Sequence, residues 1–129
     1  MSRAKVVSDD QGRFYGIRFN CPGCALARNH DPTSSIAGAT ILPVKWLPVG
    51  QTESPHLAAM ASRWGFNGDL DRPTLTPSVF CQWDQWQGED KPKKHHVCHS
   101  FVSDGRIQFL GDCTHALAGQ TIDLPEIVE

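Results

Sequence analysis

Two cysteines separated by a proline and a glycine, Cys21 and Cys24, form the clearest chemical motif of the chain. The tight turn at Pro-Gly brings both thiolates within reach of one metal ion, and the glycine lowers the steric cost of that turn. A redox dithiol has the same spacing but normally opens a helix of a βαβ unit, and residues 25–32 do not predict a long helix. The spacing therefore favours a zinc knuckle.

A structural zinc ion needs four ligands, so this knuckle must be completed from elsewhere in the chain. Cys98 is interpreted as the third ligand, with a buried core cysteine as the alternative. His30 lies six residues after Cys24 and is the candidate that closes the site locally. The alternative for His30 is an exposed loop histidine, and Cys81 is predicted to belong to the core.

A second group of reactive side chains follows near the C-terminus: Cys98, His99, Asp112, Cys113 and His115. Residues 112–119 predict a short helix with Asp112 as its N-cap. A helix N-terminus stabilises a thiolate and offers N–H groups to an oxyanion, which makes Cys113 a candidate nucleophile. His99 is the preferred general base and His115 the second candidate. The simpler interpretation is that Cys113 is the fourth zinc ligand and the histidines are surface residues.

A predicted hairpin must position this second group. Asp104-Gly105 between two β-rich runs is typical of a two-residue turn, which joins Val97–Val102 to Arg106–Leu110. This turn pairs Val102 with Ile107 and thereby sets the register of the whole hairpin.

The same register places two candidate sites, a metal site and a histidine site, on one strand. Because side chains alternate along a strand, His99 lies on the opposite face from Cys98. His99 then faces Leu110, with Asp112 diagonal to it. The zinc ligand and the histidine site are therefore expected on the two faces of the same hairpin.

The remaining elements are predicted to be short, because nine prolines and eleven glycines interrupt the chain. The predicted strands are Ala4–Val7, Phe14–Phe19, Leu75–Trp86 and Gln120–Leu124. Ile41–Val49 predicts an edge strand or an extended loop, and Pro55–Trp64 predicts a helix. We therefore expect a β-rich α+β fold, a single zinc-binding domain over residues 1–129 made of β-hairpins and short helices and stapled by the zinc knuckle.

Composition narrows the function classes. The chain has 129 residues, a formal net charge of −2 and 40% hydrophobic residues, which is typical of a folded globular protein. The slightly acidic balance argues against a general nucleic-acid binder, and the apolar runs are too short to span a membrane. The N-terminus lacks a secretory signal, so a cytoplasmic location is expected.

Three blocks of the sequence resemble a small domain family of phages and prophages: the Cys21–Cys24 knuckle, Trp64–Ser78 and Cys98–Pro125. Related domains belong to bacterial operons for ubiquitin-like conjugation, where they resemble the deconjugating peptidase. This resemblance implies a phage or bacterial protein that acts on a protein substrate, such as a ubiquitin-like conjugate, in the cytoplasm of a bacterial host cell.

The resemblance also bears on individual residues. Many relatives have serine at the position of Cys113, and serine is a poor zinc ligand but a good nucleophile. The resemblance therefore implies that Cys113 is the nucleophile and that Asp112, His99 and His115 belong to the active site. It assigns the metal to the knuckle cysteines, a nearby histidine and Cys98.

The first hypothesis is a hydrolase with a structural Zn²⁺, of the cysteine or serine type, acting as a deubiquitinase-like peptidase or isopeptidase. The alternative is a non-enzymatic structural-zinc module that binds a protein partner and serves phage or prophage functions. A third hypothesis places a catalytic zinc with an open coordination position near His99 and His115.

Overall fold

The computed structural model describes residues 2–127, which form two antiparallel β-sheets joined by loops and short helices. The first sheet has the order β1-β2-β3, with β1 at Ala4–Ser8, β2 at Phe14–Asn20 and β3 at Ala39–Leu42. The second has the order β4-β5-β6-β7-β8, at Gly65–Phe66, Leu75–Gln85, Lys94–Ser103, Arg106–Phe109 and Thr121–Asp123. The described helices are α1 at Pro22–Ala27 and α2 at Pro55–Ala58. The expectation of a small β-rich fold with short helices is confirmed.

A side-chain-capped turn joins β1 to β2. The carboxylate of Asp9 accepts hydrogen bonds from the backbone N–H groups of Gln11 and Arg13, at 3.0 and 2.9 Å. Gly12 has a φ of +75°, which residues with a side chain rarely adopt. The first two predicted strands are therefore confirmed, each to within one residue at its end.

The hairpin of β6 and β7 is formed as the sequence predicts. Asp104 and Gly105 have φ angles of 52° and 75°, which is the left-handed backbone that a two-residue turn of this kind requires. Val102 pairs with Ile107, as expected from that turn. The strands predicted over residues 75–86 and 120–124 are likewise present as β5 and β8.

The segment Ile41–Val49, expected to be an edge strand or an extended loop, contains part of each, and its strand begins earlier, at Ala39. β3 pairs with β2 over residues 39–42 and lies at the edge of its sheet. Beyond it, Val44 forms an isolated bridge with Trp64, so the second half of the segment is extended but not part of the strand. The prolines at 43 and 48 explain this break, because proline cannot donate a ladder hydrogen bond.

Side chains from both sheets form one hydrophobic core. Its largest members are at most 1% exposed: Phe14, Ile17, Phe19, Leu75, Val102, Ile107 and Phe109. Each side chain of this size contributes about 1.5–3 kcal/mol when it is fully buried. The shared core therefore holds the two sheets together.

The two helix predictions are corrected by the structure. The helix predicted over Pro55–Trp64 ends at Ala58, because only Leu57 is buried and no apolar stripe continues beyond it. Residues 112–119 form turns and bends instead of the predicted helix. No helix within residues 2–127 is long and apolar enough to span a membrane.

Candidate active site and metal centre

Three side chains on the outer face of the five-stranded sheet are joined by hydrogen bonds. Nε2 of His99 lies 2.9 Å from Oγ of Ser78, and Nδ1 lies 3.1 Å from Oδ2 of Asp112. Because a carboxylate only accepts, the ring proton lies on Nδ1 and is donated to Asp112. Nε2 is then free to accept the hydroxyl proton of Ser78. This is the connectivity of a Ser-His-Asp triad.

An irregularity in β5 positions Ser78. β5 pairs Leu75 with Val102 and Val79 with Ser100, so it spans four positions where β6 spans two. The extra residues form a bulge, a feature that commonly redirects a side chain next to an active site. The carbonyl of Ser78 also accepts a 3.2 Å hydrogen bond from the indole N–H of Trp64. Ser78 is therefore positioned both by the bulge in β5 and by the hydrogen bond from Trp64.

The segment that carries Asp112 runs beside β6. The backbone N–H of Leu110 donates to the carbonyl of His99 at 2.9 Å, and the N–H of Thr114 donates to the carbonyl of Val97 at 3.0 Å. The hydroxyl of Thr114 accepts from the N–H of Val97 at 2.9 Å. This pairing replaces the predicted helix, and it brings Asp112 to His99 as the hairpin register predicts.

The thiol of Cys113 contacts the backbone of His99, not its imidazole. Sγ accepts from the N–H of His99 and donates to its carbonyl, both at 3.2 Å. The residue is only 8% exposed. Both imidazole nitrogens are occupied by Ser78 and Asp112. The structure therefore places the Ser78 hydroxyl, and not the Cys113 thiol, at the imidazole of His99.

The expected oxyanion donors near residue 113 are also occupied. The N–H of Cys113 donates to the carbonyl of Leu110, and the N–H of Thr114 donates to that of Val97. Since no helix begins here, these groups are not free at a helix N-terminus. The structure does not support an oxyanion site at these two residues.

The three cysteines Cys21, Cys24 and Cys98 form a second cluster, on the inner side of the same strand. Their sulfur atoms all lie within 4.8 Å of one another, and all three residues are buried. Sγ of Cys21 lies 3.5 Å from Sγ of Cys98. The spacing is close enough for all three to hold one metal ion.

Helix α1 explains the position of the knuckle. Cys21 is its N-cap, and Sγ of Cys21 accepts the backbone N–H of Cys24 at 3.4 Å. Pro22 occupies the first turn, where its missing N–H costs nothing. The knuckle therefore opens a helix of six residues, and β6 supplies Cys98 from the other sheet.

The three thiols of the cluster differ strongly in pKa. Hydrogen bonds from the thiols of Cys21 and Cys98, together with the charge of Arg28, lower the pKa of Cys24 to about 3. The hydrogen bond with Cys24 raises the pKa of Cys21 to about 12, although the contact with Cys98 opposes this shift. Hydrogen bonds with Cys21 and Cys24 raise the pKa of Cys98 as well. One thiolate is thus stable alone, and a nearby cation is required before all three can ionise.

The predicted ligand His30 lies outside this cluster. Its side chain is exposed, and it follows the end of α1 at the protein surface. Cys81, expected in the core, is also exposed, although it pairs with Cys98 across the sheet. Within residues 2–127, β4 pairs with β5 only at Leu75 and Thr76, so Cys81 lies on a part of β5 whose other edge has no paired strand.

His115 is not part of the hydrogen-bonded triad. It is buried against Phe109, whose ring it meets edge-on at a centroid distance of 4.6 Å. Nδ1 of His115 accepts the backbone N–H of Leu117 at 3.2 Å. Burial lowers the pKa of this histidine, while the nearby Cys24 opposes that shift. Its neighbours are therefore those of the cysteine cluster.

Ser78 belongs to this hydrogen-bonded group, although no motif of the sequence marks it as a candidate. No spacing in the sequence relates it to His99 or Asp112. Antiparallel pairing places Phe80 opposite His99, and Ser78 is two residues before Phe80 on the same strand. The only sequence signal is its place at the end of the block Trp64–Ser78, which carries part of the family resemblance.

Comparison with known families gives one finding. Residues 45–110 match a family model described as bacterial ubiquitination-like system serine protease (BubE). The match covers just over half of the chain and includes both Ser78 and His99. The comparisons find no matching curated protein and no matching solved structure. The chain therefore belongs to the BubE family of serine proteases of bacterial ubiquitination-like systems.

Proposed function

We propose that this protein is a serine peptidase that removes a ubiquitin-like modifier from its conjugates, with Ser78 as nucleophile. The observation that carries the proposal is the continuous hydrogen-bonded chain from Ser78 through His99 to Asp112. It agrees with the serine protease description of the family. Ser78 replaces Cys113 as the expected nucleophile.

The reaction follows from the geometry. Oγ of Ser78 attacks the carbonyl carbon at the scissile bond while its proton passes to Nε2 of His99. The carboxylate of Asp112 holds the Nδ1–H and stabilises the imidazolium that forms. His99 then gives the proton to the leaving amine as the C–N bond breaks. Water repeats the sequence on the resulting ester and frees Ser78.

The surface around the triad fits an extended protein chain. Phe80 and Phe101 lie on the same face as His99 and are 48% and 45% exposed. Phe80 also packs edge-on against the His99 ring, at a centroid distance of 5.2 Å. Two exposed aromatic side chains beside a nucleophile suit the tail of a folded protein substrate.

We also propose that Cys21, Cys24 and Cys98 hold a structural zinc ion. Three thiols are a soft donor set of the kind that zinc prefers. Bound there, the ion would supply no chemistry to the reaction and would link α1 to strand β6. Because Cys98 directly precedes His99 on β6, an ion bound at Cys98 would also stabilise the backbone that carries His99.

Active-site labelling tests the proposed nucleophile. A fluorophosphonate reacts with a serine that is activated by a neighbouring base, so the folded protein is expected to carry one adduct on Ser78. Peptide mapping by mass spectrometry locates the adduct, and His99→Ala serves as the control because it removes the base. An adduct that persists in His99→Ala, or a folded protein in which Ser78 stays unlabelled, contradicts the proposal.

The role of Cys113 gives a separate prediction. Cys113→Ser preserves both hydrogen bonds to the backbone of His99, so its activity is expected to stay within about threefold of wild type. Cys113→Ala loses both bonds and is expected to lower the free energy of unfolding by about 1–3 kcal/mol. Peptidase assays and urea denaturation measure the two effects. Loss of all activity in a folded Cys113→Ala protein would return the nucleophile role to Cys113.

A further inference from the structure

A buried imidazole nitrogen beside the cysteine cluster has no assigned role. Nε2 of His115 has no hydrogen-bond partner within residues 2–127, and the residue is 9% exposed. Buried polar groups without a partner are rare in folded proteins and call for an explanation, such as a bound ion. We propose that His115 is the fourth ligand of the metal held by Cys21, Cys24 and Cys98, which makes the site Cys3His.

This inference rests on the proposed metal site and names the residue that completes it. A tetrahedral structural zinc needs four protein ligands, and the cluster offers three. His30, the ligand expected from sequence, is exposed and outside the group. The fourth position must therefore be filled by another residue or by water.

The position of His115 relative to the knuckle supports the assignment. A Cβ at Gly23 would lie 2.3 Å from Nε2 and 2.5 Å from Cε1 of His115. Gly23 stands between the two knuckle cysteines, so the unpartnered nitrogen lies directly against the knuckle turn. Only glycine leaves room there for the imidazole. This gives the glycine of the knuckle a second purpose besides the turn.

Metal binding requires a change of tautomer. Nδ1 of His115 accepts the N–H of Leu117, so in the metal-free protein the ring proton lies on Nε2. A ligand nitrogen must be bare. When Nε2 binds the ion, the ring proton therefore moves to Nδ1, and the N–H of Leu117 gives up that acceptor. The gain is that the buried nitrogen acquires a partner.

Cys81 is the competing candidate. It lies directly opposite Cys98 in the pairing of β5 with β6. Neither the sulfur of Cys81 nor a ring nitrogen of His115 belongs to the group within 4.8 Å, so this distance does not separate the two candidates. Cys81 is exposed, whereas His115 is buried. An exposed thiol finds water as a partner, whereas the nitrogen of His115 does not. The burial pattern therefore favours His115.

X-ray absorption at the zinc edge tests the ligand set in the full-length wild-type protein loaded with Zn²⁺. We expect three sulfur atoms at about 2.3 Å and one nitrogen at about 2.0–2.1 Å, with the multiple scattering of an imidazole ring. Four sulfur atoms, or three sulfur atoms without an imidazole, overturn the inference. A protein that binds no Zn²⁺ overturns the proposed metal site itself.

The Zn²⁺ affinity and the Co²⁺ spectra of variants provide the second test. His115→Ala is expected to weaken Zn²⁺ binding, measured by competition with a chelator, by about 100-fold or more. The matched controls His30→Ala and Cys81→Ser are expected to bind as wild type does. His115→Cys keeps a ligand at this position, and its Co²⁺ spectrum is expected to show four thiolates instead of three. Unchanged binding in His115→Ala, or a three-thiolate spectrum in His115→Cys, overturns the inference.

Discussion

Ser78→Ala is expected to reduce kcat/KM by about 10³-fold or more while the fold is retained. The substitution removes the oxygen atom that we propose forms the covalent intermediate, and losses of this size follow when a triad nucleophile is removed. Ser78 lies on the outer face of the sheet, so its truncation leaves the core intact. A ubiquitin-like protein with a C-terminal fluorogenic amide is a suitable substrate for the measurement.

Two further variants serve as controls for Ser78→Ala. Ser103→Ala changes a serine on the same strand face as His99 that lies outside the triad, and it is expected to leave kcat/KM unchanged. The double variant Ser78→Ala with His99→Ala is expected to be no less active than Ser78→Ala alone, because triad residues act as a unit. If Ser78→Ala keeps wild-type activity, Ser78 is not the nucleophile. If the folded wild type does not cleave this substrate, the non-enzymatic binding module becomes the better hypothesis.

Cys98→Ser is expected to release the metal and to lower the free energy of unfolding by about 3 kcal/mol or more. Structural zinc contributes directly to folding, because a preformed site does not exist in the unfolded chain. For a domain of this size the change corresponds to a fall in Tm of about 10 °C. Elemental analysis and calorimetry measure the two quantities, and a chelator added to the wild type is expected to cause a similar fall.

Cys81→Ser is the matched control for Cys98→Ser. Both residues are strand cysteines that face each other in the sheet, but only Cys98 belongs to the buried cluster. Cys81→Ser is therefore expected to keep both the metal content and the Tm of wild type. A Cys98→Ser protein with unchanged metal content and Tm would show that the cluster holds no structural ion.

The effects of Cys98→Ser and Ser78→Ala are also related, because strand β6 carries both Cys98 and the partner of Ser78, His99. Residues 98 and 99 are neighbours in sequence but face opposite sides of the sheet. Loss of the metal on one side should loosen the backbone that carries His99 on the other. Cys98→Ser is therefore expected to lose some peptidase activity, whereas Ser78→Ala should not change metal binding.

The sequence by itself determined what is local or periodic. The turn at Asp104-Gly105 set the register of the β6–β7 hairpin, and strand alternation then placed Cys98 and His99 on opposite faces. The knuckle spacing marked Cys21 and Cys24 as a pair. These features depend on backbone preferences within a few residues, which sequence patterns report directly.

Only the tertiary structure decided which distant side chains meet. Ser78 reaches His99 through the bulge and the long-range pairing of β5 with β6. The helix predicted to begin at Cys113 is absent, because residues 110–114 pair with β6 instead. The fold buries His115 next to the cysteine cluster and leaves His30 exposed at the surface. Register, bulges and burial arise from packing across the whole chain, so no local pattern contains them.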